Sequence, residues 1–232
     1  MNFNLIIPVA ADKPEYEHNM PYVFALGQDG YSICVKAIQG LDLSVFTRIY
    51  FVILEKHNKL YHIEDMLRIH FQRMGILDKA QIVILESPTA SQPETVMKAI
   101  EITQMTGSLM VKDADSFFSC EIVPENSICT YPLDQLRLVN PQDKSYLAID
   151  EGYFITNIIE KRIIGRYFCA GGYVFADVND FTMEYRKMKN YHPLYMSHII
   201  FSMLLSGANF RPNVCEDYQD WGTWEDWLGQ RM

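Results

Sequence analysis

Asp113-Ala114-Asp115 follows the apolar run Ser108-Leu109-Met110-Val111 with only Lys112 between them. A strand that ends in two carboxylates presents hard oxygen ligands at a sheet edge, where Mg²⁺ can bridge them to a phosphate. The triplet therefore points towards nucleotide chemistry. It is also short, and Asp before Ser116-Phe117-Phe118 equally suits a turn or a helix cap.

Three other clusters carry chemistry-bearing groups. Glu160-Lys161-Arg162 sets one acid and two bases at the end of an apolar stretch, able to hold a sugar hydroxyl and an anionic phosphate; its plainer interpretation is an exposed charged turn. Cys169-Ala170-Gly171-Gly172-Tyr173 places two glycines inside a strand pattern, which marks either a bulge or a close approach by a ligand or another backbone. Asp217-Tyr218-Gln219-Asp220-Trp221-Gly222-Thr223 is a polar and aromatic turn that can be purely structural. The histidines form no helical zinc pair, since His57 and His62 are five apart and His192 and His198 six apart. Gly-x-Ser-x-Gly, the Gly-x-x-x-x-Gly-Lys phosphate loop and Gly-x-Gly-x-x-Gly are all absent from the sequence.

The elements that must position these groups are legible from hydrophobic pattern. Residues 3–9, 48–54, 81–85 and 108–112 are short apolar runs that read as strands, and helical segments lie between them: 33–38 before the breaker Gly40, 58–74 before Gly75, and a helix entered at Pro93 carrying Val96, Ala99 and Ile100. Alternation of this kind favours a parallel sheet covered by helices on both faces. The stretch from Glu15 to Gly30 is a loop and a candidate binding element. After Asp115 the pattern changes to strand-like pieces at 127–131, 145–150, 153–159 and 167–175, with Glu151-Gly152 as a hairpin turn. One helix interrupts them, its apolar stripe formed by Met196, Ile199, Ile200, Met203 and Leu204. With no linker between the halves, a single domain of 232 residues is expected, its second half extending the first sheet.

Composition excludes several classes. A net charge of −9 argues against non-specific nucleic-acid binding, which needs a basic surface. The five scattered cysteines have no zinc spacing and read as reduced core residues. There is no basic leader and no apolar run of membrane-spanning length, so a cytoplasmic protein without membrane insertion is expected. The abundance of Met and aromatics suits a large core and also a homo-oligomer interface.

Taken in order, the segments Asn4-Leu5-Ile6-Ile7-Pro8-Val9-Ala10, Ser91-Gln92-Pro93-Glu94-Thr95, Lys112 to Phe118, Lys144-Ser145-Tyr146, Ile159-Glu160-Lys161, Ala170 to Phe175 and Asp220-Trp221-Gly222-Thr223 resemble the sugar-phosphate nucleotidyltransferases, or nucleoside-diphosphate-sugar pyrophosphorylases, of the capsule and surface-polysaccharide type. The resemblance spans almost the whole chain. It implies an α/β three-layer sandwich with a mixed, mostly parallel central sheet of the nucleotide-diphospho-sugar transferase (GT-A) type, residues 1–115 forming a nucleotide-binding half and 116–232 a sugar-binding half. It further implies attack of a sugar-1-phosphate, or a similar phosphomonoester, on the α-phosphorus of a nucleoside triphosphate, with release of pyrophosphate. Asp115 and Asp220 are then the Mg²⁺ ligands, with Asp113 beside them; Glu160 meets the sugar and Lys161 a phosphate. Ala10, Ala11, Gln92 and Gly172 belong to the substrate surface. The chain departs from the family in its first loop, where Ala10 to Tyr22 lacks the glycines, the Arg and the Lys, leaving Lys13 as the local cation. That departure keeps two other expectations open: a non-catalytic relative that binds a nucleotide-sugar or a protein partner, and a glycosyltransferase that uses the Asp-x-Asp pair.

Overall fold

The computed structural model describes residues 2–13, 19–136, 144–223 and 227. Four strands of the first half lie parallel in the order β4 (Ser108–Lys112), β1 (Phe3–Val9), β2 (Arg48–Leu54) and β3 (Ala80–Leu85). Their unbroken apolar runs follow from burial on both faces, because successive side chains point to opposite sides. Leu5, Ile7, Ile49, Phe51 and Ile53 enter one core. Ile6, Tyr50, Val52, Leu109 and Val111 enter the other. The first core is closed by α1 (Ile33–Lys36) and α3 (Ile63–Arg73), the second by α4 (Gln92–Thr103) and α6 (Met196–Leu205). Sheet between two helical layers is the expected three-layer sandwich.

α4 is entered at Pro93 as expected, and a cap completes its first turn. Ser91 Oγ accepts the Glu94 amide at 3.3 Å, the Glu94 carboxylate accepts the Ala90 amide at 2.7 Å, and Pro93 occupies the first turn. The single helix expected over 58–74 is corrected: α2 (Glu55–Tyr61) and α3 are separate, divided by His62 in the left-handed region at φ 52°. The side chain of Asn58 accepts the Glu64 amide at 2.8 Å, so it caps the second helix from within the first.

The second half contributes β5 (Ser116–Ser119), β6 (Ser127–Pro132), β7 (Ser145–Ile149), β8 (Ile155–Glu160), β9 (Tyr167–Phe175), α5 (Val178–Met188), α6, β10 (Arg211–Val214) and β11 (Glu216–Asp220). The main sheet runs β10-β6-β9-β4-β1-β2-β3, and six of these seven strands share one direction, with β9 alone reversed. The second half therefore extends the first sheet through β9. β7 pairs with the beginning of β9 and then with β8, and the turn between β7 and β8 contains Glu151-Gly152 as expected. Two features had no clear sequence signal. One is α5, whose polar sequence is started by the Asp177 carboxylate accepting the Asn179 amide. The other is a separate antiparallel ribbon of β5 and β11, polar on its exposed side. All five cysteines are free, and all but Cys120 are buried.

Candidate active site

A cavity of about 780 Å³ opens where β1 and β4 end. Ligands of open α/β sheets bind at the carboxyl ends of strands, because loops there are free to vary while the strands fix their stems. Pro8 to Ala11 and Lys13 line one wall, the turn from Asp113 to Ser116 another, and Glu160-Lys161 with Tyr195 a third; Asp220, Gly222 and Thr223 close the side nearest Asp115.

The turn after β4 is held from beneath. Lys112 is fully buried, and its Nζ donates to the Asp113 carbonyl at 2.9 Å and to the Ser116 carbonyl and Oγ at 2.7 and 2.9 Å. Burial lowers its pKa, and the carboxylates of Asp113 and Asp115 oppose that shift. The Asp113 amide donates to the Gly171 carbonyl at 2.8 Å, and Ser116 Oγ to the Ala170 carbonyl at 2.9 Å. This contact needs a glycine: Gly171 has φ +91°, and a Cβ there would stand 2.6 Å from Ser116 Oγ and 2.7 Å from Asp113 Oδ2. The paired glycines thus mark both a bulge, seen as a register shift of β9 against β6, and a close backbone approach.

The ribbon then brings Asp220 beside Asp115. Asp220 pairs with Ser116 in the β5–β11 register, and the Trp221 amide donates to the Asp115 carbonyl at 2.8 Å. Tyr22 Oη donates to Asp115 Oδ2 at 2.9 Å and to the Gly222 carbonyl at 3.0 Å, tying the first loop to both carboxylate segments. Lys144 forms an ion pair with Asp220, whose other oxygen accepts the Gly222 amide at 3.0 Å. Asp113 is differently employed. Its Oδ1 accepts from Gln92 Nε2 at 2.6 Å, and burial, followed by repulsion from Asp115, raises its pKa.

On the opposite wall Glu160 Oε2 accepts from Ser145 Oγ at 2.5 Å and Ser197 Oγ at 2.7 Å, which fixes the carboxylate at the end of β8. Lys161 is left-handed at φ 60°, its amide donating to the Lys144 carbonyl at 2.8 Å and its Nζ lying 5.2 Å from the Tyr195 ring. In the first loop Lys13 Nζ lies 5.9 Å from the Tyr22 ring. Its acidic neighbour Asp12 is engaged with Lys56 at 2.9 Å and with His57 at 3.3 Å, and the Lys56 hydrogen bond lowers the Asp12 pKa. Glu15 and Glu17 lie outside the described residues.

Ala10, Ala11, Lys13, Gln92, Asp113, Asp115, Glu160, Lys161 and Asp220 all line this one cavity. Gly172 does not. Its Cβ position faces Cys129 Sγ at 2.6 Å and the Phe118 ring at 2.9 Å, so Gly172 packs on the opposite side of β9, and Gly171 takes the cavity wall instead. Sequence reasoning assigned no role to Lys144, Tyr22 or Lys112. Lys144 was visible only as one member of a matching segment, and Tyr22 only as the residue standing where a Lys was expected.

No protein-family model matches the chain, and no curated protein sequence is similar to it. The fold is shared with solved nucleotidyltransferases. A nucleoside-diphosphate-sugar pyrophosphorylase from Vibrio cholerae RC9 superposes with a TM-score of 0.79 at 15% identity, covering 98% of this chain and 99% of that one. The inositol-1-phosphate CTP transferase from T. maritima gives 0.71 at 15% identity, with 97% and 91% covered. A UDP-glucose pyrophosphorylase in complex with UDP-glucose gives 0.74 at 10% identity, with 100% and 97% covered. Among the described residues no helix is long and apolar enough to cross a membrane.

Proposed function

We propose that this chain is a Mg²⁺-dependent nucleotidyltransferase, joining a nucleoside triphosphate to a sugar-1-phosphate or similar phosphomonoester with release of pyrophosphate, in the supply of surface-polysaccharide precursors. The observation that carries this reading is the convergence of Asp115 and Asp220 on one cavity across from Glu160 and Lys161. Two carboxylates suit a hard divalent cation, which takes one or two of them together with substrate phosphates. Asp115 and Asp220 would hold Mg²⁺, and Lys144 would release or share Asp220 as it entered. Bound there, the ion would neutralise charge on the phosphates of the substrate.

The chain's own groups serve positioning and charge. Glu160, oriented by two serine hydroxyls, accepts hydrogen bonds from a sugar; Lys161 and Lys144 offer cations to phosphate oxygens on the same wall. Gln92 keeps Asp113 within the turn. Phosphoryl transfer asks little covalent chemistry of a protein, so held geometry and opposite charge account for most of the rate gain. The test is pyrophosphate release by purified protein given Mg²⁺, each nucleoside triphosphate and a panel of sugar-1-phosphates. Release that is abolished in Asp115→Asn is expected; release no greater than that of the variant across the panel removes the catalytic claim.

A second reading, retention of a nucleotide-sugar without turnover, is favoured by the contacts that Tyr22 and Lys144 make with Asp115 and Asp220. Calorimetry separates the two: affinity for nucleotide-sugars that is indifferent to Mg²⁺ and accompanied by no pyrophosphate release selects it.

A further inference from the structure

Outside the cavity, thiol side chains converge on the other side of β9. Cys120, Cys129 and Cys215 place their sulfur atoms within 4.8 Å of one another, and among the described residues they are the one group of three or more Cys, His, Asp or Glu close enough to share an ion. The thiols come from three separate segments of the chain. Cys120 follows β5, Cys129 lies within β6, and Cys215 sits between β10 and β11 with its amide donating to the Thr130 carbonyl at 2.9 Å. No spacing in the sequence could have announced them.

We propose that Cys120, Cys129 and Cys215 form a binding site for one thiophilic divalent cation of the Zn²⁺ class. Three sulfurs around an ion at the usual Zn–S length of about 2.3 Å stand roughly 4 Å apart, so the observed grouping needs only small side-chain adjustments. Soft thiolates exclude Mg²⁺ and Ca²⁺, which take oxygen. A divalent ion leaves the buried trio with less uncompensated charge than a monovalent one would. Cys129 and Cys215 are buried while Cys120 is partly exposed, which supplies an entry path and room for a fourth, exchangeable ligand.

The backbone is shaped around these sulfurs. A Cβ on Gly172 would lie 2.6 Å from Cys129 Sγ, so the absence of a side chain at 172 is what makes space for that thiol. Asn213 Nδ2 donates to the Glu121 carbonyl at 2.7 Å, fastening the segment after β5 to β10 beside the trio. An ion there would clip the ends of both ribbon strands to β6, away from Asp115 and Asp220. Buried cysteines also serve as small hydrophobes; the convergence of three sulfurs distinguishes this group from Cys34 and Cys169.

The experiment uses the full chain, reduced with a non-chelating phosphine, stripped with chelator, then loaded with Zn²⁺ and desalted before metal analysis, with Co²⁺ as a spectroscopic probe. One retained Zn²⁺ per chain and a thiolate-to-cobalt charge-transfer band are expected. Cys120→Ser, at the partly exposed position, and Cys215→Ser should each weaken retention by more than about 100-fold, beyond the loss caused by removing an outer-shell partner. Cys34→Ala should retain the ion. Circular dichroism checks that each variant folds, and Cys120→Ser alone carries the comparison if Cys215→Ser does not. The proposal fails if reduced wild-type protein retains no Zn²⁺ with all five thiols titratable, or if Cys120→Ser retains it fully. It also fails if two of the three thiols are found joined as a disulfide in a protein that takes up no metal after reduction.

Discussion

Two walls of the cavity are built on different principles. The carboxylate wall is over-determined: Lys112, Ser116, Gly171 and the Trp221 amide fix the turn after β4 by contacts to backbone, so the position of Asp115 scarcely depends on its own side chain. Among the described residues of the loop after β1, side chains make the contacts that reach across the cavity and to α2. Asp12 is held by Lys56, and Tyr22 reaches the far side through a single hydroxyl. A carboxylate held by backbone contacts keeps its place when a neighbouring side chain is replaced, whereas a contact made by a side chain is lost with it.

That contrast can be broken most decisively by activity. Asp220→Asn should lower pyrophosphate release by roughly 10²–10³-fold, the scale of removing one preorganised charge-stabilising group, while Lys13→Ala should cost about tenfold. Steady-state rates under the same conditions compare them, and a larger loss from Lys13→Ala would mean that the loop, not the ribbon, governs the reaction. Next in size is stability. Lys112→Met leaves buried carbonyls without their donor and should cost about 2–3 kcal/mol, a fall in Tm of roughly 4–12 °C for a chain of this length. A Tm change within error would show that the turn is not secured from below.

The smallest effect is a pH dependence. Asp113 has its pKa raised, chiefly by burial, so the folded state holds its proton to higher pH than the unfolded chain and stability falls as pH rises through that interval. Asp113→Asn removes this term while leaving Gln92 a partner. Measured in chelator, the Tm of the variant should exceed that of wild type at neutral pH, with the advantage shrinking as pH approaches the ordinary carboxyl range near 3.8. An advantage that grows on acidification would reverse the sign and refute the assignment.

Much of the architecture was legible because buried parallel strands must be apolar throughout; Phe3–Val9, Arg48–Leu54 and Ser108–Lys112 carry that signal directly. The break at His62 was not, because it depends on a left-handed residue and a cap in which Asn58 Oδ1 accepts the Glu64 amide, and neither changes the periodicity of the apolar positions. The ribbon was hidden for a related reason: Glu216–Asp220 is polar, and its partner lies about a hundred residues earlier. Asp115 stood out locally, in a pair of carboxylates ending an apolar strand, whereas Asp220 was joined to it only through the ordered resemblance; both line the one cavity. Gly172 was misplaced by one residue, and in a strand a step of one moves a residue to the other face.

The ribbon also bears on the order in which the molecule assembles. Ser116 and Asp220 are paired across 104 positions of chain. Closing a flexible loop of that length costs about 4 kcal/mol in chain entropy, by (3/2)RT ln n, before any contact in the ribbon repays it. Two strands of four and five residues do not meet that cost alone, so β6, β9 and β10 are expected to have folded the intervening chain back on itself first. The carboxylates of the site are therefore expected to come together late, after the sheet that flanks them. In refolding followed by pulsed hydrogen exchange, the amides of Gln219 and Trp221 should gain protection after those of β4 and β9; simultaneous protection would place the ribbon in the folding nucleus.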